Sequence, residues 1–161
     1  MIRIVCILLA CLACIGCANT SYKMPIGAET AQFVMTVNIQ RFGSGSLGFT
    51  TVKALSKKCK KNDDGEDLGR FTQFVDYEPH KPQEVVIRAG SEFVYEFSYV
   101  NPATQYLEGA TCWVRSAFIP EAGKKYFAEF TFDQNSCQAT LSEMTQSGSK
   151  IFVNTLKADC R

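Results

Sequence analysis

Few residues of this chain have the type and spacing to do chemistry, and most of those carry sulfur. Cys59, Cys112, Cys137 and Cys160 lie in the body of the sequence. Cys59 is flanked by Lys57, Lys58, Lys60 and Lys61, and four ammonium groups around a free thiol would lower its pKa and activate it. The competing expectation is a disulfide that pins this basic loop to the rest of the fold. None of the four shows the Cys-x-x-Cys spacing of a redox or zinc site. The run Asn62-Asp63-Asp64-Gly65-Glu66-Asp67 gathers four carboxylates around a glycine, as oxygen-ligand calcium sites do. It lacks the alternating Asp spacing and distal Glu of an EF-hand loop, so a solvated turn is expected and no metal site. His80, the single histidine, stands between Pro79 and Lys81 with no identifiable nucleophile nearby, and reads as a surface-loop residue. Trp113, Tyr95, Tyr99, Tyr106 and Tyr126 would make a stacking face for a glycan or peptide if they shared a surface, but aromatics at period 2 more often fill a sheet core. Tyr106 differs, because it sits in the loop between Asn101 and Ala110, where a large aromatic more often serves contact; it is the candidate binding residue. No Gly-x-Ser-x-Gly, phosphate loop or dinucleotide fingerprint occurs, so neither catalytic residues nor a cofactor is expected.

The elements that must position these residues follow from composition and period. The chain has 161 residues, 46% hydrophobic and 20% charged, with a formal net charge of +1. That length buries one real core, and 11 Gly with 5 Pro exclude a fibrous or low-complexity chain. Near neutrality supplies no field to hold a polyanion, which excludes a nucleic-acid partner. Apolar residues recur at period 2 almost throughout. Phe33 to Ile39 predicts a first strand, Leu47 to Leu55 a second and Phe71 to Tyr77 a third, with the polar stretch Ser56 to Asp67 as a loop. Glu84 to Arg88 precedes a turn at Gly90 and a strong strand with Phe93, Tyr95, Phe97 and Tyr99 on one face. Thr111 to Ile119 alternates so evenly that either face could be the buried one. Lys125 to Asp133 and Cys137 to Met144 form a hairpin, and a turn at Ser147-Gly148-Ser149 leads into Ile151 to Leu156. About eight short strands without a convincing helix predict an all-β antiparallel sandwich over residues 31–161.

Cysteine pairing can be approached from the same pattern. The turn near Ser147 would place Cys137 opposite about residue 157, close to Cys160, which would leave Cys59 to Cys112. Two disulfides, Cys137 with Cys160 and Cys59 with Cys112, are therefore favoured among three possible pairings. An even set of cysteines also fits an exported, oxidising environment.

The N-terminus supports export. Met1, Ile2 and Arg3 precede an unbroken apolar run from Ile4 to Ile15, whose 12 helical residues would rise about 18 Å, short of the roughly 30 Å hydrocarbon core. It reads as a signal peptide over residues 1–16. The end of the run, Cys14-Ile15-Gly16-Cys17, resembles the lipobox of bacterial lipoproteins, in which the cysteine is acylated and becomes the new N-terminus. Leu8-Leu9-Ala10-Cys11 also fits the box, but cutting there would leave a short apolar run and a greasy mature end. The resemblance implies lipidation of Cys17, attachment to a lipid bilayer and, with Ala18 following, an outer-membrane lipoprotein facing the periplasm or the cell surface. Residues 17–30, with Pro25 and Gly27, then read as a flexible tether.

One local motif narrows the sandwich. Phe118-Ile119-Pro120-Glu121-Ala122-Gly123-Lys124-Lys125-Tyr126 ends one strand, turns and starts the next with a tyrosine. It resembles the tyrosine corner of Greek-key sandwiches, whose hydroxyl closes the turn. Ile87 to Met144 is similar to small bacterial lipoproteins with a transthyretin-like or immunoglobulin-like domain. The expected function is a non-enzymatic binding or structural module for an envelope protein partner. Two further expectations are an inhibitor or immunity lipoprotein that blocks lysozymes or toxins, and an accessory lipoprotein of a secretion or pilus assembly.

Overall fold

The computed structural model describes residues 21–23, 26–39, 48–56, 65–73, 81–102, 109–133 and 136–158. Among the described residues ten strands run in chain order as β1 (Thr30–Ile39), β2 (Gly48–Leu55), β3 (Glu66–Gln73), β4 (Gln83–Arg88), β5 (Phe93–Asn101), β6 (Ala110–Phe118), β7 (Lys125–Asp133), β8 (Ser136–Met144), β9 (Lys150–Phe152) and β10 (Leu156–Lys157). They form two five-stranded sheets, ordered β4-β1-β7-β8-β9 and β10-β6-β5-β2-β3. The fold is the expected all-β sandwich, with one departure from an antiparallel ladder. β1 and β7 run parallel, Gln32 opposite Lys125 through to Ile39 opposite Phe132.

The core explains the period. Phe33, Met35, Val37 and Ile39 of β1, Tyr95, Phe97 and Tyr99 of β5, and Tyr126, Ala128, Phe130 and Phe132 of β7 are all buried between the sheets. Phe97 stacks on Phe130 with ring centroids 5.3 Å apart, and Phe118 meets Tyr126 at 4.9 Å. Each such ring removed from water stabilises the fold by about 2–3 kcal/mol, before the entropy of ordering is set against it. In β6 the ambiguous alternation resolves with Val114, Ser116 and Phe118 on the core side, while Trp113 faces outward.

Ring contacts also fix which strand ends lie together. Phe33 lies near Phe93 and Phe118, whereas Phe132 lies 4.4 Å from Tyr99. One end of the sandwich, here the corner pole, therefore carries the starts of β1, β3, β5 and β7 and the ends of β2, β4, β6 and β8. The opposite far pole carries Ile39, Asn101, Ala110, Asp133 and Ser136.

Two elements differ from the sequence expectation. β3 begins at Glu66 and not at Phe71, so Glu66 and Asp67 belong to a strand. The ladder between β2 and β3 shifts register at Val52/Lys53; Leu68 and Phe71 both enter the core, three residues apart, and a bulge of this kind erases the period-2 signal. The second difference concerns Ile151 to Leu156, expected as one strand. Its first part pairs with β8 as β9, Ser142 opposite Phe152. The chain then crosses to the other sheet, where Leu156 pairs with Ala117. Val153 marks the crossing, its N–H donating to the Leu141 carbonyl at 2.9 Å while its side chain packs on the core.

That crossing corrects the disulfide expectation. Once the chain leaves β8 after Phe152, no described residue continues the ladder opposite Cys137. Cys137 bonds instead to Cys112 on the facing sheet, with Cα atoms 6.2 Å apart. Cys112 pairs with Tyr99 and Cys137 with Phe132, so the bridge spans the sandwich beside the Tyr99–Phe132 ring contact. The pairings Cys59–Cys112 and Cys137–Cys160 are both excluded by this bond. Cys59 and Cys160 lie outside the described residues.

Candidate functional site

The tyrosine corner is the most fully built local structure. The Glu121 N–H donates to the Tyr126 hydroxyl at 3.0 Å, closing the turn between β6 and β7 as the motif predicted. Gly123, at φ +72°, holds the left-handed conformation that a side chain would strain. Its N–H donates to the Thr30 carbonyl at 2.8 Å, which ties the turn to the start of β1. The Gly90 N–H donates to the Pro120 carbonyl at 2.8 Å and the Ala89 N–H to the Glu29 carbonyl at 2.9 Å. Lys124 donates to Glu143 at 2.6 Å, and that hydrogen bond raises the lysine pKa.

A short N-terminal strap docks beside this corner. Ser21 forms a parallel bridge with Asp67, and the Tyr22 N–H donates to the Asp67 carbonyl at 3.0 Å. The Tyr22 ring meets Phe93 edge-on at 6.4 Å. Burial is the main cause of its raised hydroxyl pKa, and a hydrogen bond with the Arg88 backbone opposes it. The strap thus touches β3 of one sheet and β4 of the other, so the stretch expected as tether has its own docking point. Further along the same side, the Gln83 amide donates to the Arg70 carbonyl at 2.7 Å, again joining β4 to β3. A Cβ on Gly69 would meet the tip of the Gln83 side chain, which would have to move aside.

The outward face of the β3-β2-β5-β6 sheet carries the clearest candidate contact surface. Register places Asp67, Lys53, Glu96 and Arg115 side by side across four strands. Their signs alternate, and Arg115 pairs with Glu96. Cross-strand neighbours of opposite charge stabilise a sheet modestly and leave no net field. On the corner side of this row, Leu55, Val94, Ala117 and Ala158 form a small covered apolar cluster. On the far side, Phe49 pairs with Val100, and Trp113 pairs with Ser98. Trp113 is 64% exposed and Val100 42%. A neutral charge row beside an exposed indole suits contact with another protein surface.

The sequence candidates separate accordingly. Tyr95, Tyr99 and Tyr126 are core residues, so no shared stacking face with Trp113 exists. Burial pushes the Tyr95 hydroxyl up to about 12, against the opposing effect of the Ser116 hydroxyl. Cys17, Tyr106 and His80 lie outside the described residues, as does the acidic run apart from Gly65, Glu66 and Asp67. Among the described residues no three His, Cys, Asp or Glu side chains are grouped to hold a metal ion. Sequence reasoning missed the charge row and the strap. The row was findable, since Lys53, Glu96 and Arg115 all take the outward phase of their strands; the strap has no period to reveal it. Compared with known proteins, the chain matches no family model, no curated protein and no solved structure.

Proposed function

We propose that this protein is a lipid-anchored module of the bacterial cell envelope, a non-enzymatic sandwich of transthyretin-like or immunoglobulin-like kind that binds an envelope protein partner. The observation that carries this reading is the Cys112–Cys137 bridge. Disulfides persist in oxidising compartments, and the bridge lies in a chain whose first residues form a basic start, an apolar run and a lipobox-like Cys17. The tyrosine corner favours the Greek-key comparison within the wider class of sandwiches. Trp113, exposed beside Val100 and next to a row of charges that alternate in sign, favours a protein partner over a polyanion.

The deciding experiment is a crosslinked pull-down of the tagged protein from its own envelope, run beside Cys17→Ala and Trp113→Ala variants. A stoichiometric complex that Cys17→Ala releases from the membrane and Trp113→Ala weakens supports the reading. Fractionation with soluble protein in all three samples removes the anchor, and a complex indifferent to Trp113→Ala removes the proposed contact face.

A further inference from the structure

We propose that the corner pole is the surface laid against the bilayer, with Ile26 and Ile119 entering the lipid interface. The inference rests on the Cys17 anchor and adds to it a defined orientation of the domain.

The strap sets the geometry. The Ser21–Asp67 bridge is parallel, so the chain runs along the strap in the same sense as β3. Ser21 is thereby held beside the second residue of β3, at the corner pole. Cys17 is four residues before Ser21, and four residues of extended chain span at most about 14 Å. An acylated Cys17 would hold the corner pole within that distance of the headgroups. The far pole, at the other ends of β3 and β5, is under no such constraint from the anchor.

The pole carries the side chains that such a position requires. Ile26 is fully exposed and Ile119 is 65% exposed. Both are carried on one hydrogen-bonded platform: Ile26 leads into Glu29, whose carbonyl accepts from Ala89, and Ile119 adjoins Pro120, whose carbonyl accepts from Gly90. The turn that follows is tied to Thr30 through Gly123. Two β-branched apolar residues on this rim stand outside the core and face mainly water in a free domain. An interface that buries apolar side chains below the headgroups, in cooperation with an acyl anchor, accounts for both. The same orientation turns the far pole, with the Cys112–Cys137 bridge, away from the membrane.

The test reads depth at both poles in the full-length protein, extracted from membranes with its anchor in place. Trp113, the one tryptophan, is replaced by Phe, and single probes are introduced as Ile26→Trp, Ile119→Trp or Gln138→Trp. Gln138 is exposed near the far end of β8, so all three probes stand on the surface. Each protein is reconstituted into vesicles of phosphatidylethanolamine and phosphatidylglycerol with brominated acyl chains. Probes at the two isoleucine positions are expected to lose roughly half of their emission, as side chains seated some 5–10 Å into the interface would, while the Gln138 probe keeps its emission. Vesicle-bound protein with no quenching at either isoleucine position, or with equal quenching at all three, overturns the orientation and leaves the anchor intact. Protein that does not float with vesicles overturns the anchor, and the orientation falls with it.

Discussion

At the corner pole, turns from three different connections exchange backbone hydrogen bonds and close on the Tyr126 hydroxyl. At the far pole, the described contacts between sheets are a ring pair, Tyr99 with Phe132, and a covalent bond, Cys112 to Cys137. The first arrangement is built from backbone groups, joins residues as distant in sequence as Thr30 and Gly123, and needs no oxidant to form. The second links strands whose cysteines are separated by 25 residues and depends on the redox state of the compartment. One pole is therefore fixed by the chain's own turn chemistry, and the other is conditional on where the chain folds.

The largest way to break this contrast is to remove the covalent half. A Cys112→Ala/Cys137→Ala variant is expected to lose about 3 kcal/mol, the loop-closure value for a bridge of this span. Urea unfolding reads the loss, and hydrogen exchange should rise first at Asn101, Ala110 and Ser136, with the corner amides of Gly90 and Gly123 still protected. Equal loss of protection at both poles would show that they are one cooperative unit.

Alkaline titration tests the core between the poles. The Tyr95 hydroxyl is held to about 12 by burial, against 10.0 for the exposed group. The folded form thus keeps its proton where the unfolded form has lost it, and stability falls as pH rises from 10 toward 12. The expected loss over that window is about 2–3 kcal/mol, measured by urea midpoints, and Tyr95→Phe should flatten the slope. An unchanged slope in that variant would assign the effect to other tyrosines.

The smallest effect sharpens the corner itself. Tyr126→Phe removes only the acceptor of the Glu121 N–H and is expected to cost about 1 kcal/mol, with faster exchange of the Glu121 amide and no change at the far pole. A cost near zero would mean that the backbone bonds around the turn hold the pole without the tyrosine.

How much of this was legible beforehand differs between residues for physical reasons. β5 announces itself, because Phe93, Tyr95, Phe97 and Tyr99 alternate without interruption and all face one core. The tyrosine corner was legible for a related reason, since a strand end, a turn and a tyrosine stand within nine residues of one another. β3 was misplaced because its bulge puts Leu68 and Phe71 on the same side. The disulfide was misassigned because pairing was extrapolated along a ladder that the chain abandons at Val153. Periodicity describes residues within one strand, and neither a bulge nor a change of sheet leaves a trace in it. Of the candidate contact surface, the outward phase of Trp113 became certain only once Phe118 and Tyr126 fixed which face of β6 was inside.

The parallel pairing of β1 with β7 has a consequence for biogenesis. A chain synthesised N-terminus first delivers Phe33, Met35, Val37 and Ile39 long before Tyr126 to Phe132, the residues that lie beside them. β4 can pair with β1 earlier, but the other side of the strand stays open until most of the chain has emerged. Non-local pairing of this kind slows folding and lengthens the time in which an apolar strand is available to other chains. The step that covers the open side of β1 is thus set by the delivery of β7, and a holdase that masks β1 until then would protect the chain while that side is exposed.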